Sequence, residues 1–183
     1  MHLTQTLLKE NPFIVNEPDF FYSGAIYGAI SDPDSSYALK KAEELYTEIR
    51  KRTTDVQRIY HNINGILSLN EIKKIKNYLF YDEHDLADGR HTVFDSSFEI
   101  AQSWLRLTAG SFAYHDFVLL LHEKYEIGII KQGFDQKTAH NKTNEKYNYS
   151  ALSKKFYRKI ASGKTVTEII DEEKELIYYG RND

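Results

Sequence analysis

The chain has 183 residues, 41% of them hydrophobic and 28% charged, with 24 basic and 27 acidic side chains for a formal net charge of −3. That is enough apolar material for one compact core, and the near-balance of charge by itself neither selects nor rejects nucleic acid as a partner. With no cysteine, disulfides, thiolate zinc sites and a cysteine nucleophile are all excluded. No run is apolar enough for a membrane span, and the opening MHLTQTLLKENPF has no h-region of a classical secretory signal.

In chain order, Pro12, Pro18 and Pro33, with Gly24, Gly28 and the turn Asp-Pro-Asp-Ser-Ser, make 11–36 irregular. From Ser36 to about Thr54, the spacing of Leu39, Ala42, Leu45 and Ile49 predicts a helix with Lys and Glu on its other face. Ser68 and Glu71 are spaced as a capping box, opening a helix with the stripe Leu69, Ile72, Ile75 and Leu79. Asp88-Gly89 breaks the chain. Asp95 or Ser96 then caps a helix carrying Ile100, Ala101, Trp104, Leu105 and Leu107, which Gly110 ends. The longest helix runs from Tyr114 to Gln132 and stops at Gly133, Asp135 caps the next to about Tyr147, and two more cover 152–161 and 165–178. No alternating strand pattern lasts more than a few residues. The expected fold is mainly α, a compact single-domain helical bundle with an irregular N-terminal segment. Its organisation reads as an extension with one helix at 1–58 and a helical domain at 59–183, packed as one unit.

The chemistry concentrates in HDFVLLLHEKYE, followed by His140 in GFDQKTAHN. On a helix, His115, Leu119, His122 and Glu126 fall on one stripe, and a buried helix seldom carries three titratable groups on one line. Three readings of His122 with Glu126 stand open. The carboxylate orients the imidazole for acid–base work; or His122 and Glu126, four apart, share a divalent metal that His140 or His115 completes; or the pair is a buried structural hydrogen bond. The peptidase motif His-Glu-x-x-His is not met, because Glu126 occupies its fifth position.

A second polar cluster, YDEHDLADGRHTVFD, lies between two helices and carries His84, Arg90 and Asp95; Arg90 there is suited to clamping a phosphate, and an exposed turn is the alternative. From Lys131 to Lys159 eight basic residues (Lys131, Lys137, Lys142, Lys146, Lys154, Lys155, Arg158, Lys159) meet two acidic ones (Asp135, Glu145), interleaved with Tyr147, Tyr149, Phe156 and Tyr157. Such a stretch either follows a phosphate backbone and stacks bases or forms a solvated helical face with its tyrosines packed inward. Trp104 reads as a core anchor, and Arg106 beside it as one half of a surface pair.

Taken together, IKKIKNYLFYDEHDLADGR, FDSSFEIAQSWLRL, HDFVLLLHEKYE, GFDQKTAHN and KYNY resemble a C-terminal toxin domain of bacterial polymorphic toxins, found on Rhs-type and LXG-type secreted proteins and on some phage head proteins. The similarity covers about 60–160. It implies a toxin or effector module, a nuclease acting on RNA, opposed in its producer by a cognate immunity protein. It also implies export by a specialised system and action in the target-cell cytoplasm, or a cytoplasmic protein. The residues matching its polar positions are His84, Arg90, Asp95, Arg106, His115, His122, Glu123, Glu126 and His140. RNA supplies its own 2′-hydroxyl nucleophile, so the leading expectation is cofactor-free ribonuclease chemistry. His122 oriented by Glu126 is its base, His140 its acid (or the reverse) and Arg90 or Lys142 its cation, with His84, Arg106, Lys142, Lys146 and Tyr149 along the substrate. The alternatives are a metal-dependent nuclease or hydrolase with His122, Glu126 and His140 as ligands, and a non-catalytic interaction or phage-structural domain.

Overall fold

The computed structural model describes residues 32–86 and 88–179, with side chains through Ile177. The irregular segment expected before Asp32 lies outside the described residues. Eight helices and one two-stranded sheet make up the rest: α1 (Ser36–Lys51), α2 (Asp55–Asn62), α3 (Leu69–Phe80), β1 (His84–Asp85), β2 (His91–Thr92), α4 (Phe98–Ala109), α5 (Tyr114–Ile130), α6 (Gln136–Lys146), α7 (Tyr149–Ala161) and α8 (Val166–Tyr179). The fold is mainly helical, as expected. No helix among the described residues is long and apolar enough to cross a membrane.

Local sequence accounts for most of the ends. The Ser35 hydroxyl accepts from the Ala38 amide to start α1, and Ser68 and Glu71 form the full capping box of α3. Ser97, rather than Asp95 or Ser96, caps α4; Asp135 caps α6 as expected, and Asn148 caps α7. Gly110 ends α4 at φ 77°, where a side chain is strained, and a Cβ there would lie 3.0 Å from Asn62 Oδ1. That closeness has a purpose. The Asn62 amide at the end of α2 donates to the Leu107 and Thr108 carbonyls, two of the groups that a helix end leaves open.

The buried face of α1 is Ala38, Ala42, Leu45, Tyr46 and Ile49, which keeps three positions of the expected stripe and leaves out Leu39, which is exposed. Helix α2 escaped the periodicity reading, and a division at 58/59 would cut through it. Helix α1 packs on α3 and α4 in the same core as the later helices. At the centre of that core is α4, whose residues 101–108 are all buried. Helix α5 packs against α3, α4, α6, α7 and α8, so it is the element that ties the site to the body of the protein.

Two buried ionic groups fix these helices. Asp55, fully buried at the start of α2, accepts from Lys76 Nζ of α3 at 2.8 Å and from Trp104 Nε1 of α4 at 2.9 Å. Arg106 of α4 binds Asp116 of α5 in a two-pronged ion pair at 2.8 and 2.7 Å, and Asp116 also accepts the Ala113 amide at 2.9 Å. The Arg106 guanidinium lies 4.7 Å from the centre of the Phe156 ring of α7. Burial opposes the charge on Asp116, but Arg106 and His115 outweigh it and hold the carboxyl below its ordinary range.

Removing one partner of such a group strands the other. Asp55→Ala is expected to lower the unfolding free energy by about 3–5 kcal/mol in urea titrations, because it leaves Lys76 and Trp104 without their buried acceptor. A loss under 1 kcal/mol would contradict the tie. For Asp116, the depressed folded value means that its contribution is complete above the ordinary value of 3.8 and is lost as pH falls through and below it. Stability should therefore drop on acidification below about pH 4, and Asp116→Asn should be less stable at neutral pH with a flatter acid limb.

Candidate metal centre

Helix α5 supplies two of the three central groups. His122 and Glu126, four residues apart, point from one face of α5, and His140 comes from α6, which packs alongside. His140 Nδ1 lies 2.9 Å and His122 Nε2 lies 3.3 Å from the same oxygen, Glu126 Oε2. One donor atom from each of the three residues falls within 4.8 Å of the others, the only His, Asp and Glu set so arranged among the described residues.

Two of the three donors, His122 and Glu126, are aimed by further hydrogen bonds. His122 Nδ1–H donates to the Tyr147 carbonyl at 2.7 Å, just past the C-terminal end of α6, which leaves Nε2 facing Glu126. The other carboxylate oxygen, Glu126 Oε1, accepts from Tyr78 Oη at 2.8 Å and Gln136 Nε2 at 2.5 Å, and Gln136 also donates to Tyr78 Oη at 2.8 Å. Oε2 is thereby kept for the two imidazoles. Burial works against the charge of Glu126, yet hydrogen bonds from His122, His140 and Tyr78 overcome it and hold the carboxyl at about 2. The same contact raises His140, against a smaller opposing effect of burial. Tyr78 is pushed up by burial and then by Glu126.

The cluster lines a cleft of about 460 Å³. Leu79, Leu86, Phe94 and Ile100 form its apolar wall, and Asp88, Arg90 and Asp95 are among its lining residues. Glu123, adjacent to His122, lines the same cleft and is 6% exposed. Burial, reinforced by the charge of Glu126, raises its carboxyl well above the usual range. The two glutamates of the motif thus sit side by side with opposite preferences for a proton.

Most of the remaining expected site residues lie elsewhere. His115 shares the stripe with His122 but is two turns away, about 10 Å along the axis. It is buried against Phe156, with Nε2 at 3.0 Å from Asp116 and 3.2 Å from Arg106 Nη2. Arg106, expected along the substrate and as half of a surface pair, is instead buried in a core ion pair with Asp116. His84 is buried too: its Nε2–H donates to the Tyr78 carbonyl at 2.8 Å and its ring stacks on Phe94 at 3.9 Å, so it supports Tyr78 from behind. Tyr149, expected along the substrate, is buried with its hydroxyl 3.1 Å from Ser103 Oγ. Arg90 does reach the cleft but is already engaged by Asp95 at 3.0 and 2.6 Å and by Asp88 at 2.7 Å.

Lys142 and Lys146 lie on another side of α6. Lys142 lines a separate groove of about 380 Å³ and sits 5.2 Å from the centre of the Phe134 ring; Lys146 lies 5.1 Å from the centre of Tyr125 and 5.3 Å from that of Tyr147. Sequence reasoning missed Tyr78 and Gln136. Gln136 precedes His140 by four residues on one helix face, a signal available to it, whereas Tyr78 is 48 residues from Glu126 and carried none.

Comparison with protein-family models, with curated proteins and with solved structures gives no match. The site is read from its own geometry.

In the metal-free protein, a nuclear magnetic resonance titration should find His140 holding its proton above the ordinary imidazole value of 6.5, and Glu126→Gln should return it toward that value. An unshifted His140 would contradict the 2.9 Å contact.

Proposed function

We propose that this cleft is the active site of a metal-dependent hydrolase in which His122, Glu126 and His140 hold one divalent cation and Glu123 carries the proton. The observation behind it is the convergence of the three donor atoms, two of which, on His122 and Glu126, are oriented by further hydrogen bonds. Ligands to catalytic metals are held in this way, with the second imidazole nitrogen on a carbonyl and the carboxylate fixed from behind. Two imidazoles and one carboxylate make up the protein ligand set of many catalytic zinc sites, which keep a further position for water. Bond lengths of 2.0–2.2 Å in a tetrahedral site imply donor–donor separations of about 3.3 Å; the two measured at Glu126 Oε2 are 2.9 and 3.3 Å, and the whole set spans up to 4.8 Å, so the two imidazoles would draw together around an ion.

The cation would polarise the bond under attack and lower the pKa of its water. Glu123, adjacent to His122 and lining the same cleft, would carry the proton from that water to the leaving group once the charge of the bound cation favours its carboxylate form. The likeness to polymorphic-toxin domains supports placing such an enzyme among secreted effectors, with a cognate immunity protein as partner.

A second reading, metal-independent cleavage of RNA by the two histidines, is favoured by one observation: the His122 and His140 rings lie 5.2 Å apart across one carboxylate. It lacks a ready cation for the phosphorane, because Arg90 is engaged by two aspartates and Lys142 faces another groove.

Calorimetric titration of the metal-free chain with Zn²⁺ separates the two. One ion per chain is expected to bind. Gln136→Leu should weaken the affinity roughly 10–100-fold, His140→Ala should weaken it further, and Glu123→Gln should leave it near that of the unaltered chain. Circular dichroism would confirm that each variant stays folded. No binding, or binding indifferent to His140→Ala, would contradict the metal centre.

A further inference from the structure

The charges around the cleft bear on what it cuts. Among the described residues, Arg90 is the sole lysine or arginine lining it. Its guanidinium is taken up by Asp95 in two-pronged fashion and by Asp88, so the rim as a whole is negative: one guanidinium against two carboxylates. Glu123 and Glu126 lie deeper. A divalent cation on the three donors would roughly cancel this excess without turning the cleft into a basic channel. A nucleic acid strand brings one negative charge per nucleotide and is bound by grooves lined with lysine and arginine. The chain has such residues on α6, but Lys142 and Lys146 lie over the rings of Phe134, Tyr125 and Tyr147, away from the cleft.

The rest of the lining is apolar. Leu79, Leu86, Phe94 and Ile100 stand beside the candidate metal centre and offer a surface for an uncharged hydrocarbon or aromatic group. Among the described residues there is one such ligand set, rather than the paired sites common in phosphodiester hydrolysis, and it suits attack on a carbonyl, where a single cation would both bind the water and polarise the oxygen.

We propose that the bond hydrolysed here is a peptide bond next to an apolar side chain held against Leu86, Phe94 and Ile100. This rests on the metal-hydrolase reading and deepens it. Water adds through its oxygen to the carbonyl carbon and gives one proton to the Glu123 carboxylate. That proton passes to the amide nitrogen as the carbon–nitrogen bond breaks, releasing a carboxylic acid and an amine, with no oxidant or co-reactant needed.

The test uses the full chain loaded with Zn²⁺, incubated separately with an internally quenched peptide library and with single-stranded RNA. Products are read by mass spectrometry and on denaturing gels. The expected result is peptide cleavage beside Leu, Ile or Phe, at least about tenfold faster than beside Asp or Glu, with RNA intact and activity lost in Glu123→Gln. Leu86→Asp should reduce the apolar preference by about tenfold or more and leave Zn²⁺ affinity unchanged. Zinc-dependent cutting of RNA with peptides intact would overturn the peptide assignment alone, as would a zinc-loaded chain that cuts neither polymer. Failure to bind Zn²⁺ would remove the metal centre and this inference with it.

Discussion

The carboxylate of Glu126 is the point on which the site depends. Three helices meet at its two oxygens: α3 through Tyr78, α5 through Glu126 itself, and α6 through Gln136 and His140. A buried carboxylate with no partners would give up its charge; this one keeps it because one oxygen is held by neutral donors and the other faces two imidazoles. The division of labour between Oε1 and Oε2 leaves a single oxygen pointing where His122 and His140 also point. Loosening α3 or α6 would therefore disturb the donor set even though Tyr78 and Gln136 contribute no ligand atom.

The remainder of the fold can be understood as holding α5 in place for that purpose. At its N-terminal end, Asp116 is clamped by Arg106 of α4, and the Tyr114 amide donates to Glu173 of α8. Beyond its C-terminal end, the chain turns through Gly133 into α6, capped by Asp135, so that His140 returns alongside His122. Tyr147, following α6, offers a carbonyl that orients His122 instead of continuing the helix. Asp55 does the corresponding work for α3, joining it to α2 and α4 and so fixing the helix that carries Tyr78. The buried charges are thus distributed along the path from core to site.

Much of this was legible in the sequence, for reasons of locality. Capping by Ser68 with Glu71 and by Asp135, and termination at Gly110, depend on residues within a few positions of each other, and they appear where the spacing put them. The pairing of His122 with Glu126 is equally local, and His140 was named as its partner. The readings that moved depend on tertiary contacts. Leu39 fits a helical stripe but lies just off the buried face; Arg106 looks like surface chemistry until α5 and α7 close over it, and Tyr149 until α7 docks its hydroxyl on Ser103 of α4; His115 shares a stripe with His122 but points into a different part of the core. The motif comparison bore only on the peptidase order His-Glu-x-x-His and left the metal reading of His122, Glu126 and His140 open; two imidazoles and one carboxylate do converge, whichever position in the chain supplies each.

The most direct measurement is X-ray absorption at the zinc edge on the full chain carrying one equivalent of Zn²⁺, compared with His140→Ala. The expected spectrum has two imidazole nitrogens and a carboxylate oxygen at 2.0–2.2 Å with one or two water oxygens, and loses one imidazole in the variant. A shell of water and carboxylate oxygens alone, or an imidazole count unchanged by His140→Ala, would contradict the metal centre at Glu126.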